Sequence, residues 1–232
     1  MSDEMRIAIV ILGAGSGSRF GHSTNKVWLP LDGTRIISRS IANAVKSFSE
    51  FRCILVVSAA DKEIANEVLA TDLPELEVEV IEGGDTRHGS EYNSLMHLAP
   101  AIKDGTINVV MIHDGARPLA TSALFESIAT SAFEVGGALP AIAVDAHEID
   151  RVSNEKIVRV QTPQAFRAEQ LLEAYTRANK DSFIGTDTAA CMEKYFPEVD
   201  TLAVAGEPEN IKITHSQDLI IAEHVLEMHG AD

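Results

Sequence analysis

What most constrains this chain is a rhythm of apolar runs that do not alternate with polar residues, each followed by a stretch carrying apolar residues at helical spacing. "RIAIVIL" opens at Arg6, "CILVVSA" at Cys53, "EVEVIEGG" ends in a glycine pair, and "INVVMIHDGARP" breaks at Asp114. A strand that is apolar on consecutive residues buries both of its faces, which happens in a parallel sheet sandwiched between helices. The intervening "RIISRSIANAVKSF", "DKEIANEVLA", "GSEYNSLMHLAPAI" and "TSALFESIATSAFEVG" supply those helices, with Asp61 expected as an N-cap. The expected fold is α/β: a Rossmann-like, mostly parallel sheet with helices on both faces. No proline- or glycine-rich linker, repeat or low-complexity tract interrupts the pattern, so residues 1–232 are expected to form a single domain. One stretch, "AVDAHEIDRVSNEKIVRV" at about 143–160, reads as two short strands around a Ser-Asn turn, a small β-hairpin arm.

Charge narrows the function. A formal net charge of −16 argues against a nucleic-acid partner, whose binding domain would normally be basic. A protein this acidic that holds an anion must gather its positive charge locally. The acidic start "MSDEMR" has no signal-peptide character, and no apolar run is long enough to predict a membrane partner. The two cysteines, Cys53 and Cys191, lack metal or redox spacing, so a cytoplasmic location with reduced thiols is expected.

The first strand empties into "ILGAGSGSRFGHSTNKVWLPLDG", Ile11 to Gly33. Glycines let backbone N–H groups face phosphate oxygens without a Cβ in the way. Neither familiar phosphate loop fits: Ser18 occupies the third glycine position of the dinucleotide fingerprint, and no G-x-x-x-x-G-K-[ST] spacing occurs. Arg19 and Lys26 follow closely enough to reach the same anion. In parallel sheets, ligands collect at the carboxyl ends of strands. The ends of the first, third and fourth runs, read as neighbours, carry "GAGSGSR", "EGGDTRHGS" and "HDGARP": glycine, arginine and acid on one rim.

With those residues in view, "GAGSGSRFG…NKVWLPLDG" resembles the signature of nucleotidyltransferases of the sugar-nucleotide type. "EGGDTRHGSEYNSL", "IHDGARPL", "VQTPQAF", "GTDTAACME" and "ENIKIT" resemble, in order, the motifs of the cytidylyltransferases acting on 2-C-methyl-D-erythritol 4-phosphate or ribitol 5-phosphate. The resemblance spans nearly the whole chain. It implies the nucleotidyltransferase fold, a homodimer, and transfer of CMP from CTP to a polyol phosphate with release of pyrophosphate. The nucleophile, a phosphate oxygen, is already anionic near neutral pH, so positioning and charge stabilisation carry the catalysis. By the same resemblance Gly13, Ala14, Gly15, Gly17 and Arg19 wrap the triphosphate. Lys26 and Lys212 stabilise charge at the α-phosphate. Gly84, Asp85 and Ser90 read the cytosine, with Arg87 a basic position of that motif. Asp114 holds Mg²⁺, a cation satisfied by one carboxylate plus phosphate oxygens and water. Arg117 and the pair Thr186–Asp187 face the acceptor. His113 is expected as a structural neighbour rather than a ligand, Trp28 as a packing residue, and Arg35 and Arg39 as a solvated helix face.

The arm departs from the family pattern. Ala146 stands where the family has a threonine facing the acceptor, Glu148 replaces a basic residue, and neither Arg151 nor Arg159 matches the spacing of the arginine that enters the partner's site. "NKVW" likewise replaces the usual P-K-Q-[YF]. The nucleotide side is better matched than the acceptor side. Ribitol 5-phosphate or another sugar phosphate therefore stays open as acceptor, and a non-catalytic nucleotide-binding protein is the reading from another class.

Overall fold

The computed structural model describes residues 4–15, 25–144 and 158–229. Strand β1 (Ile7–Leu12) is followed by a single 3-10 turn (Lys26–Trp28) and a miniature hairpin, β2 (Pro30–Leu31) and β3 (Thr34–Arg35). Its two-residue turn places Asp32 and Gly33 at φ 47° and 77°, the doubly positive φ combination that favours an Asp-Gly pair. Next come α1 (Ile36–Val45), β4 (Arg52–Val57), α2 (Lys62–Asp72), β5 (Val78–Glu82), α3 (Arg87–Lys103) and β6 (Val109–Asp114). The remainder is α4 (Ser122–Val135), β7 (Gly137–Ala143), β8 (Val158–Val160), β9 (Gln164–Arg167), α5 (Ala168–Asp181), α6 (Thr188–Tyr195), β10 (Thr201–Ala205) and α7 (Ser216–His229).

The main sheet runs β5-β4-β1-β6-β9-β7-β10, with β8 paired to β7. The β5-β4-β1-β6 half is all parallel, and β10 is parallel to β7. β9 lies antiparallel between β6 and β7. The expected mostly parallel α/β sheet is therefore present, with β9 as an antiparallel wedge that the apolar rhythm does not reveal. β8 is antiparallel to β7, Ala143 facing Val158, at the base of the expected arm. The arm's own residues 145–157 lie outside the described residues.

Consecutive strand residues feed opposite layers. Ile7, Ile9, Ile11, Leu55, Val57 and Met111 pack with α1, α2 and α4. Ala8, Val10, Ile54, Val56, Val110 and Ile112 pack with α3, α5 and α6. Both layers are apolar, which is why the strands read as continuous runs; each fully buried Ile or Leu contributes roughly 1.5–3 kcal/mol. Trp28 is a core residue, as expected, and Cys53 is buried in the same layer.

Three local expectations are corrected. Asp61 stands at the N-cap position of α2 without capping it; its carboxylate instead accepts from the Asn25 side chain at 3.3 Å. Arg35 and Arg39 are ion-paired, with Asp72 at 2.6 Å and Asp32 at 2.8 Å, and so are not simply a solvated face. The ends of β1 and β5 are not neighbours, because β4 lies between them. The loop after β5 closes that gap by crossing the end of β4, where the Gly83 N–H donates to the Val57 carbonyl at 2.8 Å.

Candidate active site

Strand order reverses at β1: β4 and β5 continue to one side, β6 to the other. Such a switch point opens a crevice at the carboxyl ends of the strands. The register puts Leu12 level with Asp114 of β6 and Val56 of β4, so Gly13 and Asp114 leave the sheet side by side.

On the β1 side, Gly13 is buried and Gly15 exposed, with Ala14 between them. The buried Asn25 side chain donates to the Gly13 carbonyl at 2.7 Å and caps the 3-10 turn that begins with Lys26. It thereby ties the two ends of the glycine loop together. Gly17 and Arg19 lie outside the described residues. The β5 loop packs directly on this one: a Cβ on Gly83 would sit 2.8 Å from that of Ala14. Gly84 is equally confined, since a Cβ there would meet the backbone of Gly89 at 2.8 Å. The Ser90 hydroxyl is committed to this turn, donating to the Thr86 carbonyl at 3.0 Å and accepting from the Gly84 N–H at 3.2 Å. Ser90 therefore shapes the loop, while Asp85 is exposed at its tip. Thr86 caps α3, its hydroxyl accepting from the Gly89 N–H.

On the β6 side, Asp114 is buried and lies among three cationic side chains: Lys212 Nζ at 2.9 Å, Arg87 Nε at 3.4 Å and Arg117 Nε at 3.5 Å. Burial disfavours its ionisation, but Lys212, Arg87 and Arg117 outweigh burial and hold the carboxyl well below the usual carboxylate range. This is the local concentration of positive charge that an acidic anion-binding protein requires. Lys212 is the most exposed of the three, while Arg117 is largely buried and donates to the Asn210 carbonyl at 2.7 Å.

A buried frame holds the pair of loops. The Asp114 N–H donates to the Thr162 hydroxyl at 3.0 Å, which lies 3.2 Å from His113 Nδ1; His113 Nε2 lies 3.1 Å from the Arg117 carbonyl. Burial lowers the pKa of His113 to about 4, so its ring is neutral and serves as a strut, as expected. Asn210 donates to the Thr162 carbonyl at 2.9 Å, and the Gln161 side chain donates to the carbonyls of Glu207 and Asn210 at 2.8 and 3.1 Å. The Ile213 N–H donates to the Ala116 carbonyl at 2.8 Å, delivering Lys212 to Asp114. Gln161, Thr162 and Asn210 fall within stretches that carry the family resemblance, yet the sequence assigns them no role. Their signal was the clustering of amide and hydroxyl side chains beside charged residues. On the remaining flank Asp187 caps α6 and accepts from Gln164 at 3.0 Å, leaving Thr186 exposed.

Among the described residues no three His, Cys, Asp or Glu side chains cluster as a metal cage. A small hard cation that keeps phosphate and water oxygens as most of its ligands does not need one. Asp114 fits that demand: it is ionised, it stands beside the glycine loop, and Lys212, the exposed member of its cation set, can turn to a phosphate instead.

The family model described as IspD: 2-C-methyl-D-erythritol 4-phosphate cytidylyltransferase matches residues 7–228. The chain is 31% identical over 226 residues to the 2-C-methyl-D-erythritol 4-phosphate cytidylyltransferase of Bacillus mycoides (strain KBAB4), covering 94% of this chain and 96% of that one. It is 31% identical to that of Solibacter usitatus (strain Ellin6076), covering 98% of both. A crystal structure of the enzyme so named from Thermus thermophilus superposes with a TM-score of 0.71 at 25% identity, covering 96% of this chain and all 100% of that one. In fold, the chain also matches the crystal structure of 4-diphosphocytidyl-2C-methyl-D-erythritolsynthase from Anaerococcus prevotii DSM 20548, with a TM-score of 0.79 at 23% identity and 96% of each chain covered. The switch-point crevice, its glycine loop and its charge cluster thus stand in a chain that belongs to the 2-C-methyl-D-erythritol 4-phosphate cytidylyltransferase family.

Proposed function

We propose that this member of the family transfers CMP from CTP to the phosphate of 2-C-methyl-D-erythritol 4-phosphate. A phosphate oxygen of the acceptor bonds to the α-phosphorus while the bond to the bridging oxygen breaks, and pyrophosphate leaves. The observation that carries this reading is the meeting of Lys212, Arg87 and Arg117 on one buried carboxylate beside the glycine loop. Phosphoryl-type transfer needs little covalent help from the protein and much electrostatic preorganisation. These cations supply it, and the buried frame around His113 and Thr162 keeps them from relaxing.

In this reading Gly13, Ala14, Gly15, Gly17 and Arg19 hold the triphosphate. Lys26 and Lys212 stabilise the charge that develops about the α-phosphorus. Gly84 and Asp85 read the cytosine edge through a backbone that Ser90 keeps in place. Arg117, Thr186 and Asp187 orient the acceptor. Asp114 is the residue that would hold Mg²⁺; when bound, that ion neutralises triphosphate oxygens. The family reading carries a homodimer and a cytoplasmic location; among the described residues no helix is long and apolar enough to cross a membrane.

The test is pyrophosphate release from CTP and Mg²⁺ with 2-C-methyl-D-erythritol 4-phosphate, with ribitol 5-phosphate and with no acceptor. Turnover restricted to the first compound is expected. Turnover only with ribitol 5-phosphate would replace the acceptor, and CTP binding without turnover would leave a nucleotide-binding protein.

A further inference from the structure

Behind the charge cluster lies a group that the proposed reaction does not use. Glu91, in the second turn of α3, is fully buried, with 0% of its side chain exposed. Removing a carboxylate from water costs several kcal/mol unless it is compensated, so such a residue needs partners on every side. It has them, each from a different part of the fold. Arg87 Nη1, one turn earlier on α3, lies 2.6 Å from Oε1. The Thr188 hydroxyl, at the start of α6, donates to the same oxygen at 2.8 Å, and the Tyr175 hydroxyl, on α5, donates to Oε2 at 2.5 Å.

Two of these partners lead to the site. Arg87 stands between two carboxylates, Glu91 behind it and Asp114 in front, so Glu91 holds the guanidinium up against Asp114. Thr188 follows Asp187 directly, and Asp187 caps α6 at the acceptor flank. The adjoining His88 reinforces the tie: its ring stacks on Tyr175 with centroids 4.6 Å apart, and its Nδ1 accepts from the Gly185 N–H at 3.4 Å. The first turns of α3, which carry the nucleotide-side loop, and the Gly185–Thr188 segment are therefore pinned to one buried carboxylate.

We propose that Glu91 is a positioning residue of the reaction, holding Arg87 against Asp114 and fixing the acceptor-side segment relative to the nucleotide-side loop through Thr188. The inference rests on the proposed placement of the active site around Asp114. An apolar residue at position 91 would fill the same space without this tie. Displacing reacting groups by about 1 Å can cost on the order of 100-fold in rate, so a residue without substrate contact can still govern turnover.

The test is steady-state kinetics with CTP and 2-C-methyl-D-erythritol 4-phosphate varied separately, on wild type, E91Q, R87Q, the E91Q/R87Q pair, T188V and D114N, with a thermal melt of each. Because Glu91 acts through Arg87, E91Q is expected to lower kcat about tenfold with little change in the KM for CTP, and to have almost no further effect in the R87Q background. T188V, which removes only the hydroxyl, is expected to raise the KM for the acceptor several-fold while the KM for CTP stays. Should E91Q not fold, T188V decides alone. Unchanged kcat and KM values in the folded variants, with only a lower melting temperature, would make Glu91 structural and overturn the proposal. A D114N enzyme with a lowered kcat or a raised Mg²⁺ requirement, beside unaffected E91Q and T188V, would refute this inference and leave the site standing. A D114N enzyme with wild-type kcat and an unchanged Mg²⁺ requirement would remove the site and the inference together.

Discussion

The contact between the two glycine loops permits a direct test with one methyl group. In Gly83→Ala the added Cβ would lie 2.7 Å from Ser90 Oγ, 2.8 Å from Ala14 Cβ and 3.2 Å from Val56 Cγ1. Carbon pairs rest about 3.5–4.0 Å apart, so the Ala14 contact alone demands a separation of about 0.7 Å or more. The strain has no soft outlet. Ser90 Oγ is fixed by the Thr86 carbonyl and the Gly84 N–H, and Val56 is a fully buried strand residue. The loop after β5 must therefore move off the loop after β1. Overpacking of this kind costs about 1–3 kcal/mol. In a chain of this size each kcal/mol lowers the melting temperature by roughly 2–4 °C, so a fall of about 2–12 °C is expected. The same displacement parts the two loops proposed to hold the triphosphate and read the base, so the KM for CTP is expected to rise more than the KM for the acceptor. Differential scanning calorimetry and initial rates measure the two effects. Ala14→Gly in the same chain removes the opposing Cβ and is expected to restore part of both losses. A Gly83→Ala protein with wild-type melting temperature and wild-type KM for CTP would refute the described contact.

Other perturbations separate the roles of the charges. Lys26→Ala is expected to lower kcat on the order of 100-fold while changing the KM for CTP only a few-fold; a predominant loss of CTP affinity would assign Lys26 to ground-state binding instead. Asp114→Asn is expected to raise the Mg²⁺ concentration needed for half-maximal rate on the order of tenfold, and an unchanged titration would remove Asp114 as ligand. Away from the site, Glu79 has its pKa lowered to about 2, chiefly by the Arg52 hydrogen bond, with His97 2.7 Å away. A depressed carboxyl pKa stabilises the fold above the unfolded value near 4.5, and that stability is lost as pH falls toward 2. The stability gap between wild type and Glu79→Gln, read by urea unfolding, is therefore expected to close as pH falls from about 4.5 toward 2. A gap that widened across that range would contradict the assignment.

Much of the fold was legible because both faces of β1, β4 and β6 are buried, which writes them as unbroken apolar runs. β9 escaped because it is four residues long and carries Gln164, whose amide holds Asp187 and the start of α6. A strand that short has no period to read, and its antiparallel direction depends on partners far away in sequence. Within the site, glycines and cations at strand ends were visible because their chemistry is rare in such positions. The meeting of Lys212 with Asp114 was not visible in spacing, since 98 positions separate their numbers and it takes tertiary contacts, Ile213 to the Ala116 carbonyl and Arg117 to the Asn210 carbonyl, to bring them together. Glu91 was hidden for the opposite reason. A glutamate within a helix reads as surface, and nothing local signals that Tyr175 and Thr188 will close over it.

The antiparallel wedge also has a consequence for how the molecule comes into being on the ribosome. β5, β4, β1 and β6 are drawn from the first half of the chain and can associate in the order in which they emerge. β6 and β7 cannot then pair with each other, because the place between them is reserved for residues made some fifty positions after β6. Until β9 arrives, each keeps an unpaired edge, the kind of exposed ladder that invites association between nascent chains. Thr162, which accepts the Asp114 N–H, shortly precedes that strand, and Lys212 comes still later. The chain can therefore build its glycine-loop half early, but its charge cluster is complete only when synthesis is nearly done. A ribosome-stalled fragment ending before β9 is expected to carry the first without the second.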